Sequence, residues 1–303
     1  MKTPDVAASS SATWVAIEGV LVPSERALVS IFDRGFLYGD SVFETVRTYD
    51  GTPFMLTEHL ERLAWSAERT AMTLPVPVEE LVSEVSAQIR EVGARLACDV
   101  TARVMVTRGE GALGLDPSGA TTPRRYVIFS RFKSLPPEWY DAGVAVVSYS
   151  THRPSDAARG AKVANYLESI LAIRHARDLG AHEAIVLTGD GHVVEGTTSN
   201  VLAVSCGDLL TPPDYETFLP GITRRVVLEL AAGLGLRVVA RRLEPADLAA
   251  ADEVFLTSTI REVLPVASVD GHQIGDGVPG PKTRELAAAF RAFTSAYVAK
   301  AAR

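Results

Sequence analysis

The hydrophobic and polar positions of the first fifty residues alternate in short runs that turn residues separate. Apolar or alternating runs cover residues 14–17, 20–22 and 41–46. Glu18-Gly19 lies between the first two runs and Asp50-Gly51 follows the third, and both pairs are typical of tight turns. The pattern predicts strands of a meander or mixed sheet.

A helical period replaces this alternation after Thr57. Leu60, Leu63 and Ala67 recur on one stripe, and Arg62 lies beside it, where we expect an exposed side chain. A second helix and two more strands of the same sheet are predicted at 78–97, 101–107 and 125–130.

Paired prolines mark the expected domain boundary. Pro136 and Pro137 lie in a segment that can continue neither a strand nor a helix. We predict a small N-terminal domain, a linker and a larger C-terminal domain at residues 14–132, 133–142 and 143–303. Downstream strands are predicted at 144–148, 184–188, 192–195, 200–205 and 254–257, and helices at 162–179 and 222–234. Because strands and helices do not strictly alternate, the fold class is α+β, or mixed α/β.

Composition restricts the possible partners. The chain has 303 residues, 47% of them hydrophobic, so it can bury a large core in two domains. Its formal charge of −7 gives no electrostatic reason to expect nucleic acid or an anionic membrane as a partner, which favours small molecules. Cys98 and Cys206 lack metal-ligand spacing, so we expect reduced core thiols in a cytoplasmic protein and no metal site. Residues 1–13 lack the apolar core of a signal peptide, and no apolar run is long enough to span a bilayer.

Lys162 is the one lysine that opens a long apolar-periodic segment, the predicted helix 162–179. Lysine is rarely buried unless it is paired or does chemistry, because desolvation favours the neutral amine and lowers its pKa. A neutral lysine is a nucleophile for carbonyl groups. The local sequence leaves two interpretations open: a surface lysine whose stem follows apolar surface, or a covalent catalyst.

Further segments offer partners for an anionic ligand and for a basic ring nitrogen. Ile222 and Thr223 begin a predicted helix, where free amide groups bind anions. Arg62 suits a two-pronged grip on phosphate. Residues 257–259 end a buried strand, a common ligand position in open sheets. Glu195 has apolar neighbours, so its carboxylate needs a cationic partner. Each segment alone also fits an ordinary helix start, turn or solvated face.

Together these residues fit one small molecule. Pyridoxal 5′-phosphate has an aldehyde for Lys162, a phosphate for Arg62 and the 222–223 helix end, and a basic ring nitrogen for Glu195. The sequence therefore predicts an enzyme that uses this cofactor.

The order of these motifs resembles the fold-type IV pyridoxal-phosphate enzymes, the class IV aminotransferase family, from about Glu18 to Val269. The segments that carry the resemblance are 33–44 (DRGFLYGDSVFE), 59–63 (HLERL), 162–167 (KVANYL), 195–200 (EGTTSN) and 219–224 (LPGITR). The resemblance implies a two-domain fold whose C-terminal domain has a mixed sheet or barrel-like core. It also implies a homodimer.

The resemblance further implies roles for single residues. Lys162 would form the Schiff base with the cofactor, Tyr166 would contact the ring hydroxyl, and Glu195 would contact the ring nitrogen. The phosphate would be held by Arg62, Ile222, Thr223 and Thr259. The substrate would contact Tyr38, Phe43, Arg103, Ser258, Thr259 and Ile260.

The residues that distinguish the branches of the family do not all favour the same branch. Phe43 and Arg103 match branched-chain aminotransferases, but Thr101 stands where those enzymes usually have a tyrosine. Residues 109–114 (GEGALG) lack the Arg-X-His carboxylate trap of D-amino-acid enzymes. Residues 259–265 (TIREVLP) resemble both transaminases and lyases.

We therefore expect an aminotransferase that exchanges an amino group between an amino acid and an α-keto acid. The first choice of donor is an aliphatic or branched-chain L-amino acid. The alternatives are a D-amino-acid or (R)-amine transaminase, a pyruvate-releasing aminodeoxychorismate lyase, and a non-catalytic α+β binding protein that has lost its cofactor.

Overall fold

The computed structural model of the protein describes residues 13–151, 160–213 and 219–301. Its helices are α1 (Arg34–Tyr38), α2 (Leu56–Arg69), α3 (Val78–Leu96), α4 (Pro137–Ala142), α5 (Leu167–Asp178), α6 (Ile222–Gly233), α7 (Pro245–Ala249) and α8 (Pro281–Ala301). Its strands are β1 (Thr13–Ile17), β2 (Val20–Pro23), β3 (Ser41–Tyr49), β4 (Thr52–Pro53), β5 (Val100–Thr107), β6 (Arg124–Arg131), β7 (Val144–Ser150), β8 (Glu183–Leu187), β9 (Val193–Gly196), β10 (Asn200–Ser205), β11 (Asp208–Thr211), β12 (Arg237–Ala240), β13 (Glu253–Ser258), β14 (Glu262–Val269) and β15 (His272–Gln273).

The alternating pattern of the first fifty residues folds as strands and tight turns. β1, β2 and β3 cover the three predicted runs. Glu18 and Gly19 connect β1 to β2 with φ angles of 49° and 83°, and Asp50 and Gly51 connect β3 to β4 with 49° and 75°. Two successive residues with positive φ match the twist of paired strands, which explains the glycine in each turn.

Two compact units divide the chain. Among the described residues, the first contains 13–133, the short segment 161–165, and 300–301. Its six-stranded antiparallel sheet has the order β2-β1-β6-β5-β3-β4. The apolar stripes of α2 and α3 join the core of this unit, whose buried members include Leu60, Leu63, Leu81, Val85, Ile89, Val104 and Phe129.

Among the described residues, the second unit contains 134–151, 160, 166–213 and 219–299. Its mixed sheet has the order β12-β11-β10-β13-β14-β7-β8-β9, with β15 beside β14. The pairs β11–β12, β14–β7 and β7–β8 are parallel, and the other neighbours in this sheet are antiparallel. This mixture confirms the predicted α+β class with a mixed sheet. Helix α4 occupies Pro137–Ala142, within the segment predicted as a linker.

The helix predicted from Lys162 begins five residues later than expected, so that prediction was wrong at its start. α5 runs from Leu167, with Tyr166 at its N-cap. The Phe43 amide donates to the Lys162 carbonyl at 3.0 Å, and the Ala164 amide donates to the Ser41 carbonyl at 2.9 Å. Backbone N–H and C=O groups need hydrogen-bond partners when they are buried. For the Lys162 carbonyl and the Ala164 amide those partners lie on β3, so this segment pairs with the strand and the helix begins only after it.

The expectation of two core thiols was wrong for one of them. Cys98 is half-buried, whereas Cys206 is exposed, and both are free. Cys206 has a φ of 51° and precedes Gly207 in the β10–β11 turn. Hairpin turns lie at the surface, so the turn decides its exposure. Among the described helices, none is long and apolar enough to cross a membrane.

Candidate active site

Lys162 is held by backbone contacts to two elements of the first unit. Besides its carbonyl bond to β3, its amide donates to the hydroxyl of Ser66 on α2 at 3.0 Å. Its Nζ lies 4.7 Å from the centroid of the Phe43 ring. The guanidinium of Arg103 lies 3.7 Å from the same centroid, so the Lys162 amine and the Arg103 guanidinium both contact one aromatic ring. The structure thus brings together Lys162, Phe43 and Arg103.

Arg62 is not the exposed side chain that the helical pattern indicated; only 11% of it is accessible. Its Nε and Nη2 each donate to the carboxylate of Glu44 on β3, both at 2.7 Å. Glu44 is fully buried and also accepts a hydrogen bond from Nδ1 of His59 at 2.7 Å. His59 and Arg62 are three residues apart on α2 and therefore share a helix face. The charge of Glu44 is what draws Arg62 inward.

The titration of this cluster follows from burial and charge. Burial disfavours a charged carboxylate, but Arg62 and the hydrogen bond from His59 outweigh it and lower the pKa of Glu44 to about 2. Burial lowers the pKa of His59, and the bond to Glu44 opposes that only in part. At neutral pH the cluster therefore holds a charged Glu44, a charged Arg62 and a neutral His59 that donates through Nδ1.

Neither Glu44, His59 nor Ser66 received a role from the sequence. Glu44 carried a usable signal, because it is the single charged residue in the otherwise apolar or β-branched run 42–46. A carboxylate that must be buried needs a cation or several donors nearby. Tyr38 lies elsewhere in the unit: its hydroxyl accepts from the Gly114 amide at 2.9 Å, in the loop after β5.

Glu195 and Asn200 of the second unit bind the same backbone residue. The Leu219 amide donates to Oε2 of Glu195 at 3.3 Å, and Nδ2 of Asn200 donates to the Leu219 carbonyl at 2.9 Å. These contacts tie the β9–β10 region to the residues that lead into α6. A Cβ atom at Gly221 would lie 1.9 Å from Oδ1 of Asn200, so this position accepts only glycine without a shift.

The first turn of α6 carries two of the residues predicted to hold a phosphate. Gly221 occupies the N-cap and offers no side-chain bond to the first turn. Ile222 and Thr223, the first two residues of α6, are both buried. Backbone amides at a helix start carry partial positive charge and bind phosphate readily. Ile222 and Thr223 therefore lie in the first turn of α6, and their role in binding phosphate stays a prediction.

The turn between β13 and β14 carries Ser258, Thr259 and Ile260, all half-buried. Before it, the Thr257 hydroxyl is buried and has no hydrogen-bond partner among the described residues. The Ser199 hydroxyl is also buried and has no hydrogen-bond partner among the described residues. Buried polar atoms without a partner are rare in folded proteins. A phosphate or a polar substrate group would supply what these hydroxyls lack, so the second unit fits the cofactor inferred from the sequence.

Tyr166, the N-cap of α5, begins the second unit's part of the chain after Lys162. Its carbonyl accepts from the Ile170 amide at 2.8 Å, which fixes the backbone at that residue. Within the described residues, no group of three or more His, Cys, Asp or Glu side chains could hold a metal ion.

Comparison with known proteins supplies the family. The class IV amino-transferase family matches residues 41–269. A Methanocaldococcus jannaschii protein, provisionally named a branched-chain-amino-acid aminotransferase, is 41% identical over 91% of this chain and 95% of its own length. D-alanine aminotransferase of Staphylococcus epidermidis is 33% identical over 94% of this chain and 99% of its own.

A solved structure shows the same likeness. The crystal structure of Escherichia coli branched-chain amino acid aminotransferase is 32% identical, with a TM-score of 0.85 over 92% of this chain and 93% of that one. Proteins of this family use pyridoxal 5′-phosphate, which confirms the cofactor predicted from the motifs. The chain belongs to the class IV aminotransferases and is a pyridoxal-phosphate-dependent transaminase.

Proposed function

We propose that the protein transfers the amino group of an aliphatic L-amino acid, with branched-chain donors first, to an α-keto acid, and that Lys162 holds the cofactor covalently through Nζ. The observation that carries the assignment of Lys162 is its fixed position: the backbone bonds to β3 and to Ser66 leave only the side chain to move. Relatives named for branched-chain amino acids support the donor class.

The other cofactor contacts follow from charge. Arg62, the amides of Ile222 and Thr223, and Thr259 would hold the phosphate. Glu195 would hold the ring nitrogen in its protonated form, and Tyr166 would contact the ring hydroxyl. When bound, pyridoxal phosphate supplies the electron sink for the carbanion.

Lys162 would also move the proton. Its amine would take a proton from Cα of the donor and deliver it to the reactive carbon of the cofactor, as general base and then general acid. Water would then release the keto acid while the amino group stays with the cofactor, and an acceptor keto acid would take up that amino group by the same steps in reverse. Substrate contacts are proposed for Tyr38, Phe43, Arg103, Ser258, Thr259 and Ile260.

Phe43 gives the aliphatic preference a physical basis. Its ring centroid lies 4.7 Å from Nζ of Lys162, so the amine that would react has an apolar ring beside it. An apolar side chain gains from such a surface, whereas a charged one loses hydration.

A D-amino-acid donor is the second candidate, because the Staphylococcus epidermidis D-alanine aminotransferase is 33% identical over nearly the full length. One panel separates the candidates: glutamate formed from 2-oxoglutarate with L-leucine, D-alanine or an (R)-amine as donor. Faster turnover with D-alanine than with L-leucine would replace the first proposal by the second. Pyruvate released from aminodeoxychorismate without any acceptor would replace both by a lyase.

We also propose that the protein is a cytoplasmic homodimer. The free thiols of Cys98 and Cys206 fit a reducing compartment. Several large apolar side chains of the first unit are exposed, which fits a surface that a second copy covers. They include Leu28, Ile31, Phe36, Leu113 and Leu115.

A further inference from the structure

Glu183 is a buried carboxylate in the second unit that the proposed mechanism does not use. It begins β8 and is 1% exposed. Its Oε1 accepts from the Thr197 amide at 3.0 Å and from the Thr197 hydroxyl. Its Oε2 has no partner with hydrogen-bond geometry among the described residues. Oε2 nevertheless lies 2.6 Å from Nη2 of Arg261 and forms an ion pair with it. The charge on Arg261 therefore compensates the burial of Glu183.

The backbone and side chain of Arg261 together contact two different turns. It ends the β13–β14 turn, where its amide donates to the Ser258 hydroxyl at 3.2 Å and its carbonyl accepts from the Tyr140 hydroxyl at 3.0 Å. Its Nη1 donates to the Thr198 hydroxyl at 2.8 Å, in the turn between β9 and β10. With the ion pair to Glu183, Arg261 links the 258–261 turn to the 197–199 turn.

Both turns border residues to which the proposed function assigns contacts. The 197–199 turn lies between Glu195 and Asn200, which together bind Leu219. The 258–261 turn contains Ser258, Thr259 and Ile260. A turn has few backbone bonds of its own, so its geometry depends on side chains that tie it to neighbouring elements.

We infer that Glu183 and Arg261 form a positioning pair, which fixes the β9–β10 and β13–β14 turns relative to each other and thereby sets the affinity of this enzyme for cofactor phosphate and amino donor. This inference rests on the proposed function. Arg261 acts through the turns and is not itself the ligand of a substrate carboxylate, because its Nη2 and Nη1 are engaged by Glu183 and Thr198.

The test compares Arg261→Met with Arg237→Met. The Arg237–Asp208 ion pair is in the same unit, but Arg237 is 76% exposed, so the same substitution there removes a surface pair. At a temperature well below the melting transition, we expect Arg261→Met to raise the KM for the donor and the dissociation constant of the cofactor by about tenfold, with kcat changed less than about threefold. Arg237→Met should leave all three unchanged.

Glu183→Gln distinguishes positioning from direct substrate binding. A positioning pair predicts that Glu183→Gln raises the donor KM as Arg261→Met does. If Arg261 instead binds the substrate carboxylate, Glu183→Gln would leave KM unchanged or lower it, because the guanidinium would lose its competing partner. That result would overturn the inference.

Cofactor affinity is measured independently of turnover, by fluorescence titration of the apoenzyme with pyridoxal phosphate. Wild-type protein that binds the cofactor but transaminates no donor would refute the proposed function, together with the donor part of this inference, and cofactor affinity would then decide the remaining part. An active wild type whose Arg261→Met variant has a lower melting temperature but unchanged KM and cofactor affinity would refute the inference alone. If Arg261→Met does not fold, Arg261→Lys takes its place: it keeps the charge but loses the second prong, and KM should still rise.

Discussion

At the scale of single residues, the main predictions concern Lys162 and Glu44, which have different roles. Lys162 presents an amine beside an aromatic ring, whereas Glu44 is closed off from solvent by the side chains that it binds. We therefore expect substitution of Lys162 to change turnover and substitution of Glu44 to change stability.

Lys162→Ala should abolish transamination, with kcat reduced by at least about a thousandfold, because both the covalent attachment and the proton transfer depend on Nζ. The measurement is glutamate formation with L-leucine and 2-oxoglutarate. Lys133→Ala is the matched control and should retain full activity, since Lys133 lies outside the candidate site. Turnover in Lys162→Ala comparable to the control would end the mechanism proposed for this lysine.

Glu44→Gln should lower the free energy of unfolding by about 3 kcal/mol at pH 7, from about 1.4 kcal/mol for each unit by which the pKa of Glu44 is lowered. A carboxyl with a lowered pKa in the folded state stabilises the protein above its ordinary value near 4.5, and that contribution is lost as the pH falls toward about 2. The difference between wild type and variant should therefore shrink as the pH is lowered from 5 to 3.

Denaturant unfolding at several pH values measures this difference. Glu91→Gln provides the control, because the Glu91–Arg95 pair is exposed and should contribute little at any pH. A difference for Glu44→Gln that does not change with pH would contradict the assignment of a charged, buried Glu44. Cofactor affinity should fall as well, since Arg62 loses the partner that orients it.

At the scale of elements, the approach to α6 shows how a glycine fixes geometry. Gly221 has ordinary helical-entry φ, so its role is close approach to Asn200 and not a left-handed backbone. Gly221→Ala should weaken cofactor binding by about tenfold or more, because the added methyl group pushes the first turn of α6 away from Asn200.

Gly233→Ala, at the other end of the same helix, is the control for this substitution. No atom lies within 4 Å of a Cβ built there, so the change should be neutral or stabilise the protein by about 0.5–1 kcal/mol. The two variants are compared by titration of the apoenzyme with pyridoxal phosphate. Equal affinities for Gly221→Ala and Gly233→Ala would refute the close-approach argument.

Periodicity predicted most elements, and it failed where tertiary partners outweigh local preference. The β1–β3 strands and the start of α3 agree with the pattern because their apolar residues pack into one core. The start of α6 agrees as well, and its apolar residues Ile222, Val226 and Val227 are buried. The helical spacing of the residues after Lys162 predicts that this lysine lies in a helix. Its backbone bond to β3 joins residues that are far apart in the chain, so no local sequence pattern indicates it. Arg62 was predicted to be exposed for a similar reason: its partner Glu44 is 18 residues away in the chain.

The motifs in contrast predicted chemistry well, because a reactive group and its ligands must be of particular types. The family and the cofactor are confirmed. The roles of Arg62, Tyr166, Glu195, Ile222, Thr223 and Thr259 stay predictions that the variants above address. The Glu183–Arg261 pair could not be predicted from the sequence, because the two residues are 78 positions apart in the chain (261 minus 183) and no common pattern links them.

At the scale of the whole molecule, the exposed apolar residues of the first unit make an assembly prediction. Leu113 and Leu115 are 73% and 81% exposed, in a loop whose carbonyls are held by the Arg34 guanidinium. We expect Leu113→Ser/Leu115→Ser to shift the protein from dimer toward monomer in sedimentation velocity, because the loss of two buried leucines at an interface weakens association.

Leu234→Ser is the control, since Leu234 is 37% exposed and lies at the end of α6 in the second unit. It should sediment as the wild type does. A wild-type protein that is monomeric at every concentration would contradict the proposed homodimer, whatever the variant does.

The bond between the Leu219 amide and Glu195 makes that amide a built-in spectroscopic probe. An N–H that donates to a carboxylate changes its chemical shift and its hydrogen-exchange rate when the carboxylate gains a new partner. In a spectrum of the 15N-labelled protein, the Leu219 resonance should therefore move as pyridoxal phosphate is added. One peptide group would then report, without any turnover, whether Glu195 has engaged the ring nitrogen.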